Sequence, residues 1–152
     1  MAQIIKCPSK EFKIHDKSVF LAGSIEMDTA VDWQKEIEIT LSDKNVTIYN
    51  PRRESWDSSW EQTITDNNFR EQVEWELDKL EKSDIILMHF SPNTRSPISL
   101  LELGIFSNSG KLVVSCPDGF WRKGNIEIVC ERYNILFFNS LDESIRYIKS
   151  KI

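Results

Sequence analysis

Residues 84–104 read DIILMHFSPNTRSPISLLELG, and this stretch decides the fold. Its first part, 84–90, is an apolar run without regular polar alternation, which is typical of a strand at the centre of a parallel sheet. Its last part opens a helical pattern over 97–110, with Ser96 as the expected N-cap and Pro97 at the first helical position. A buried strand, a short loop and a helix in this order predict one unit of an α/β sheet.

The alternation of strand and helix continues in both directions from this unit. Four further apolar runs predict strands, which cover residues 18–23, 45–50, 111–116 and 134–138. Four further segments predict helices, which cover residues 30–43, 68–83, 125–132 and 141–152. Because strands that alternate with helices pair in parallel through right-handed crossovers, we expect a single domain over residues 1–152. Its fold is predicted to be a flavodoxin-like, doubly wound five-stranded parallel sheet of order 2-1-3-4-5.

The helix predicted over 68–83 follows a polar stretch, 51–67, which has no clear period and is expected to be a long loop. Asn68 is expected to be the N-cap of this helix. Apolar residues at helical spacing predict its buried face, which consists of Phe69, Val73, Leu77 and Leu80.

Composition and charge narrow the class of protein. The formal net charge of −5 disfavours nucleic acid or an anionic membrane as the main partner. The three cysteines are widely spaced, which indicates free thiols in a reducing compartment. No apolar run approaches the ~20 residues of a membrane span, and the N-terminal residues do not resemble a signal peptide. We therefore expect a soluble, cytoplasmic protein.

Doubly wound sheets bind ligands beyond the carboxyl ends of their strands, at the point where the strand order reverses. In this chain that point is expected between the strands at 18–23 and 84–90, so the loops at 23–29 and 91–96 are the expected place of chemistry. The first of these loops has no GxGxxG fingerprint, and no pair of Cys or His residues has metal-ligand spacing. Neither a dinucleotide cofactor nor a metal is expected.

Glu102 is the only charged residue between Ser96 and Gly110. A solvated helix face normally carries several charges, and here the neighbouring apolar face is predicted to consist of Ile98, Leu101 and Ile105. Two interpretations remain open. Glu102 is either a carboxylate placed in a ligand cleft or a surface glutamate stabilised by the helix dipole.

Other polar residues also have both a functional and a structural interpretation. Glu76 belongs to a helix rich in acids, most of which are expected to face solvent. Arg52 and Arg53 follow Asn50 at the end of the second predicted strand. They either bind a phosphate or pair with the carboxylates of this acidic protein. Asp84 opens its strand and either belongs to the site or forms a local cap.

Four stretches carry a family resemblance: FLAGSIEMDTAVDWQ (20–34), YNPRRESWDSSW (49–60), VEWELDKLEKSDIILMHF (73–90) and SPISLLELG (96–104). Together they resemble the nucleoside 2-deoxyribosyltransferase family, especially its phage and bacterial branch, over residues 18 to about 137. That family is flavodoxin-like, which agrees with the fold predicted from the pattern.

The resemblance implies a role for several residues. The glutamate of the family's ELG motif is the nucleophile that attacks the anomeric carbon, so Glu102 takes this role. An acid eight residues before the strand-opening aspartate assists the leaving base; counting back from Asp84 gives Glu76, where most relatives carry aspartate. Ser96 stands where transferases carry a sugar-binding aspartate and where hydrolases of nucleoside monophosphates carry a phosphate-binding serine.

The first predicted strand adds further substrate-binding residues to this implied site. Phe20 replaces a tyrosine that is frequent in the family, so it has no hydroxyl to orient the nucleophile. Gly23 and Ser24 match the Gly-Ser-Ile of the monophosphate hydrolases, but Glu26 follows where those relatives carry a basic residue. The two arginines after Asn50 are candidates to replace the missing positive charge.

The implied activity is N-glycosyl transfer or hydrolysis on 2′-deoxyribonucleosides or their 5′-monophosphates, without a metal or organic cofactor. Transfer and hydrolysis are both left open. One alternative is an NAD- or ADP-ribose-type glycosidase on a similar scaffold, and another is a catalytically silent nucleotide-binding sensor. The family usually completes its pocket with a neighbour's loop, so a homo-oligomer is expected. Its interface is predicted to use large aromatics in loops, namely Trp56, Trp60, Phe120 and Trp121.

Overall fold

The computed structural model describes residues 1–25, 31–53 and 57–152. In these ranges the strands are β1 (Gln3–Lys6), β2 (Lys17–Gly23), β3 (Val46–Asn50), β4 (Ile85–His89), β5 (Leu112–Ser115) and β6 (Leu136–Phe138). The helices are α1 (Trp33–Thr40), α2 (Asn67–Lys82), α3 (Pro97–Phe106), α4 (Lys123–Arg132) and α5 (Leu141–Lys149). Every predicted strand and helix is present, with its ends displaced by a few residues.

The strands form one parallel sheet with the order β1-β3-β2-β4-β5-β6. Strands β2 to β6 are the five predicted strands, and they follow the predicted order. The sheet has a sixth strand because β1 pairs with β3 at the edge. This strand covers only Gln3–Lys6, and its short apolar pair Ile4-Ile5 did not stand out as a strand in the sequence.

The two faces of the sheet carry different helices. Side chains from α1 and α5 pack on one face, with Trp33, Ile37 and Ile148 among them. Side chains from α2, α3 and α4 pack on the other face, with Trp75 and Leu103 among them. This division is the doubly wound arrangement. It leaves the carboxyl ends of β2 and β4 side by side, where the crossovers diverge.

Helix α2 begins at Asn67, one residue earlier than predicted. The carboxylate of Asp66 accepts hydrogen bonds from the backbone N–H groups of Asn68 and Phe69, so Asp66 is the N-cap and the prediction of Asn68 was wrong. The buried face is also rotated, because Gln72 and Trp75 are buried together with Leu80. The predicted Phe69, Val73 and Leu77 are only half-buried.

Helix α3 buries a different face from the one its apolar residues suggested. Its buried residues are Ser99, Glu102, Leu103 and Phe106, which share one stripe at helical spacing. The residues predicted as its apolar face are more than half exposed: Ile98, Leu101 and Ile105. Because apolar residues surround this helix on all sides, the hydrophobic period does not indicate which side faces the sheet. Among the described residues, no helix has the length and apolar character needed to cross a bilayer.

Candidate functional site

The carboxyl ends of β2 and β4 meet in unusually close contact. Gly23 pairs with His89 and adopts a positive φ of 132°. A Cβ atom at Gly23 would lie 2.1 Å from the carbonyl oxygen of His89, so no other residue fits without moving the backbone. The glycine therefore lets the loop after β2 turn directly against the loop after β4.

A cluster of buried hydroxyls joins these two loops. The Oγ of Ser24 lies 2.6 Å from the Oγ of Ser96 and 2.9 Å from the Oγ1 of Thr94. The backbone N–H of Ser91 donates to the Oγ of Ser24, and the Oγ1 of Thr94 donates to the carbonyl oxygen of Ser91. Thr94 was missed in the sequence, since its position within a loop follows no spacing that marks it.

Ser96 is the N-cap residue of α3, as predicted, and its carbonyl oxygen accepts a hydrogen bond from the backbone N–H of Leu100. Its backbone is left-handed, with φ of 47°, and its side chain makes no capping hydrogen bond to α3. The predicted N-cap position is therefore confirmed, although the side chain does not cap the helix. Its hydroxyl contacts Ser24 and, at 3.0 Å, Thr94. The left-handed turn directs the side chain to the neighbouring loop rather than back over the first turn of α3.

Glu102 lies on the buried stripe of α3 and is 8% exposed. Among the residues that the structure describes, none forms a hydrogen bond with its carboxylate. Burial raises the pKa of Glu102 to about 8, and the negative charge of Glu76 raises it further in the same direction. A surface glutamate would have an ordinary pKa, so the solvent-facing interpretation of Glu102 does not hold for this fold.

Glu76 is the partner of Glu102 in this electrostatic coupling. Burial raises the pKa of Glu76 to about 7, and a hydrogen bond from Gln72 lowers it in part. The charge of one acid disfavours ionisation of the other, so a proton on one carboxyl favours the anionic form of its neighbour. A positive charge developing beside Glu102 would also favour its anionic form.

Phe20 lies in the middle of β2, and Asn50 is the last residue of the neighbouring strand β3. Phe20 is buried and its ring lies 6.3 Å from the ring of Trp75, on the sheet face that α2 and α3 cover. Asn50 is buried, donates to the carboxylate of Glu38, and accepts a hydrogen bond from the backbone N–H of Arg52. Asn50 thus anchors the start of the loop after β3.

Both arginines of that loop are engaged by acids of the protein. Arg52 pairs with Asp32 at 3.1 Å and donates to the side chain of Gln34. Arg53 pairs with Glu71 at 2.8 Å, and its guanidinium lies 4.8 Å from the ring centre of Trp60. These ion pairs are the contacts expected if the arginines pair with the carboxylates of the protein itself. A role for either arginine at a phosphate stays a prediction, and Glu26 lies outside the described residues.

Asp84 lies at the amino ends of the strands, whereas the hydroxyl cluster lies at their carboxyl ends. It precedes β4, and its carboxylate accepts hydrogen bonds from the backbone N–H and the hydroxyl of Ser18, near the start of β2. The length of β4 separates it from the loop at 91–96 by roughly 20 Å, at 3.3 Å per residue. Asp84 therefore ties the amino ends of two strands together and is not brought to the hydroxyl cluster.

The loop aromatics that were expected at an interface have varied environments. Phe120 is buried against Phe90, with ring centres 5.0 Å apart, so it belongs to the core and that part of the prediction was wrong. Trp121 is about half exposed, and its indole N–H donates to the carbonyl oxygen of Arg95. Trp56 lies outside the described residues.

The described residues offer no cluster of three or more His, Cys, Asp or Glu side chains suited to a metal ion. His89 is buried, its Nδ1 lies 2.9 Å from the hydroxyl of Ser115, and burial lowers its pKa to about 4. Two surface cavities formed by the described residues lie elsewhere: one is beside the end of α3, and another is along α2 near Pro8. Neither is lined by Glu76 or Glu102. The acid pair is therefore identified by the burial of Glu102 and by its electrostatic interaction with Glu76, and not by a cavity.

A family model described as nucleoside 2-deoxyribosyltransferase like matches residues 16–120, which is more than half of the chain. The matched range contains the Gly23 turn, both acids of the buried pair and the hydroxyl cluster. The chain belongs to this family. No curated protein sequence matches it. Nucleoside 2-deoxyribosyltransferase-like proteins are associated with glycosyl transfer on nucleosides, and the flavodoxin-like sheet agrees with that membership.

Proposed function

We propose that this protein cleaves the N-glycosidic bond of 2′-deoxyribonucleosides or their 5′-monophosphates, with Glu102 as nucleophile and Glu76 as the acid that assists the leaving base. The observation that carries the proposal is the buried carboxyl of Glu102 with a second carboxyl, Glu76, within electrostatic reach, because retaining glycosyl chemistry uses one carboxylate as nucleophile and a second carboxyl as acid and base.

In the first step the carboxylate of Glu102 attacks the anomeric carbon. The bond between that carbon and the base nitrogen breaks, and its electron pair goes to the base. Glu76 transfers its proton to the departing base and becomes a carboxylate. The sugar is left as a glycosyl ester on Glu102, so charge and protons balance.

In the second step a water molecule or an acceptor base attacks the same carbon. Glu76 now removes a proton from the attacking group, and the ester bond breaks to restore the carboxylate of Glu102. Attack by water gives hydrolysis and attack by a base gives transfer. The two outcomes use the same side chains, and they differ only in which acceptor reaches the ester first.

Electrostatics support the assignment of roles. The transition state carries positive charge near the anomeric carbon, and a neighbouring carboxylate stabilises it. Glu102 lacks a hydrogen-bond partner among the described residues and is therefore available for this contact. Glu76 is already held by a donor from Gln72, which suits a group that releases a proton.

The hydroxyl cluster supports recognition of the sugar end of the ligand. Ser24 and Ser96 lie at the carboxyl ends of the two strands that flank the switch point, where doubly wound sheets bind ligands. Ser96 precedes α3, and Glu102 follows it by roughly 9 Å along the helix axis at 1.5 Å per residue. One ligand that contacts both residues would therefore lie along the first turns of α3.

The experiment is to incubate the purified protein with deoxynucleosides and their monophosphates, with and without an acceptor base. We expect base release or base exchange, and we expect Glu102→Gln to reduce it at least about 10³-fold. Acid quenching during turnover should trap a deoxyribosyl adduct on the peptide that contains Glu102. The exposed Glu127 on α4 provides the matched control, Glu127→Gln.

Near-normal turnover in Glu102→Gln would contradict the proposal. Binding of these ligands without turnover in the unaltered protein would instead favour the silent sensor. Release of nicotinamide from NAD, with no reaction of deoxynucleosides, would favour the glycosidase of NAD type.

A further inference from the structure

Gln72 lies on α2 one turn before Glu76 and is buried. Its amide Nε2 donates to the Oε1 of Glu76 at 3.0 Å and to the backbone carbonyl oxygen of Pro51 at 3.0 Å. Its Oε1 accepts a hydrogen bond from the thiol of Cys7 at 2.9 Å. Three groups from three parts of the chain thus hold one side-chain amide.

The orientation of this amide follows from its partners. The carbonyl of Pro51 only accepts hydrogen bonds, so the atom that faces it must be the NH₂ group of Gln72. Burial raises the pKa of Cys7 to about 12, so its thiol keeps its proton and remains a donor to the amide oxygen. Both N–H bonds of Gln72 are then used, one for Pro51 and one for Glu76.

A Gln and a Glu four residues apart often pair on a helix surface and stabilise only the helix. This pair differs because Gln72 is buried and is also fixed from outside α2. Pro51 directly follows β3, and Cys7 follows β1. The amide is therefore immobilised relative to the sheet, and so is the carboxyl group that it contacts.

We propose that Gln72 is a positioning residue for Glu76. It occupies the Oε1 of Glu76 as a donor, so the other oxygen is the one that carries the proton for the departing base. The inference rests on the proposed function, because Gln72 can position Glu76 for proton transfer only if Glu76 is the acid that protonates the departing base. When Glu76 gives up its proton, the same N–H contact becomes charge-assisted and stabilises the carboxylate that remains.

Several charged or titratable groups surround this contact. Glu102 on α3 lies within electrostatic reach of Glu76, and Glu76, Arg53 and Glu71 lie within electrostatic reach of Cys7, which follows β1. Removing the amide of Gln72 changes none of these charges. The expected effect on the titration of Glu76 is therefore a rise in its pKa, because the contact that favours its ionised form is lost.

The test is Gln72→Met, which keeps the length of the side chain and removes the amide. Two substrates are compared: a deoxynucleoside with a neutral base, and N7-methyl-2′-deoxyguanosine, whose cationic base leaves as a neutral molecule without needing a proton. We expect kcat for the neutral base to fall about tenfold or more, while kcat for the cationic base stays within about twofold. KM should change little, and the basic limb of the pH–rate profile should move to higher pH.

The matched control is Val73→Met, which places the same side chain on the next, half-buried position of α2. Equal slowing of both substrates by Gln72→Met would overturn the inference, because it would indicate a purely structural role. Unchanged rates on both substrates would overturn it as well. Glu102→Gln tests the proposed function separately: if it is inactive while Gln72→Met behaves like the unaltered protein, only the role of Gln72 fails.

Cys7 provides a second route if Gln72→Met does not fold. Cys7→Ala removes the donor that fixes the amide oxygen, and we expect a smaller but equally selective loss with the neutral base. Cys7→Ser restores a hydroxyl donor and should recover part of that loss. A Cys7→Ala protein that slows both substrates alike, or neither, would count against the inference.

Discussion

The side-chain oxygens of Ser24 and Ser96 lie 2.6 Å apart, although 72 positions separate these residues in the chain. The contact joins the loop after β2 to the loop after β4. It exists because the sheet places these two strands side by side and because Gly23 allows their ends to approach closely. This hydroxyl pair marks the end of the site that we assign to the 5′ end of the ligand.

A deoxynucleoside 5′-monophosphate should bind at least about tenfold tighter than its nucleoside, because a hydrogen bond to a charged group contributes roughly 1.5–3 kcal/mol. Ser96→Ala should remove most of this difference, as measured by calorimetry. Ser109→Ala, at an exposed serine beyond α3, is the control. Equal affinity for both ligands would assign Ser96 to the sugar and make this a nucleoside enzyme.

The arginines extend this test. Arg52 and Arg53 pair with Asp32 and Glu71, so a phosphate would have to compete with these carboxylates or share the guanidinium groups. If they contribute, Arg52→Ala or Arg53→Ala should narrow the ratio between the two affinities. If the ratio of the two affinities does not change, the arginines do not bind the phosphate, and its contacts would come from the hydroxyls and backbone N–H groups.

The contribution of Glu102 to stability should fall as pH rises, because this buried acid binds its proton more tightly in the folded state. The pKa of Glu102 rises from 4.5 to about 8, so its contribution is fully present below pH 4.5 and lost as pH rises through about 8. Each unit corresponds to about 1.4 kcal/mol. Glu102→Gln should therefore gain about 5–10 °C in Tm relative to the unaltered protein between pH 5 and pH 9.

Calorimetric or fluorescence melting at both pH values checks this expectation. Exposed acids titrate alike in the two proteins, so their effects cancel in the difference. Parallel Tm values for both proteins across this range would show that Glu102 titrates normally, and the argument from the buried acid pair would then fail.

Gly23→Ala should destabilise the fold, because the added Cβ would lie 2.1 Å from the carbonyl oxygen of His89 and the residue has a positive φ. Backbone strain of this kind costs about 1–3 kcal/mol, and the steric contact adds to it. Gly124→Ala in α4 is the control, since its Cβ would meet no atom within 4 Å. Equal unfolding free energies for the two variants in urea would contradict the close contact.

The protein should form a dimer or a larger homo-oligomer through α3. The outward face of this helix exposes Ile98, Leu101 and Ile105, and its only charged residue, Glu102, faces inward. An uncharged aliphatic stripe of this kind is suited to a second copy of itself. Leu101→Lys should yield monomers in sedimentation, whereas the control Ile128→Lys, on the exposed side of α4, should not.

Sedimentation of the unaltered protein as a monomer at micromolar concentration would remove this prediction. Oligomers that persist in Leu101→Lys would place the interface elsewhere, for example near the half-exposed Trp121.

The pattern of short apolar runs and periodic segments was enough to predict the sheet order, because it depends on alternation and handedness rather than on individual contacts. It did not predict β1, whose edge position needs only a few apolar residues. It also placed the N-cap of α2 incorrectly, and it did not show that the side chain of Ser96 turns away from α3. Capping depends on where the preceding loop directs a side chain, and loop direction is set by tertiary contacts.

The sequence by itself determined the order of the strands, and it was enough to single out Glu76 and Glu102 as candidates. Only the tertiary structure decided that Glu102 faces inward while Leu101 faces outward, because every side of α3 is apolar enough to be buried. It also placed Asp84 at the amino ends of β2 and β4, and it brought Gln72 to Glu76 with Cys7 behind it. Burial and coupling belong to pairs of residues that are distant in the chain, so they exist only once the fold has brought them together.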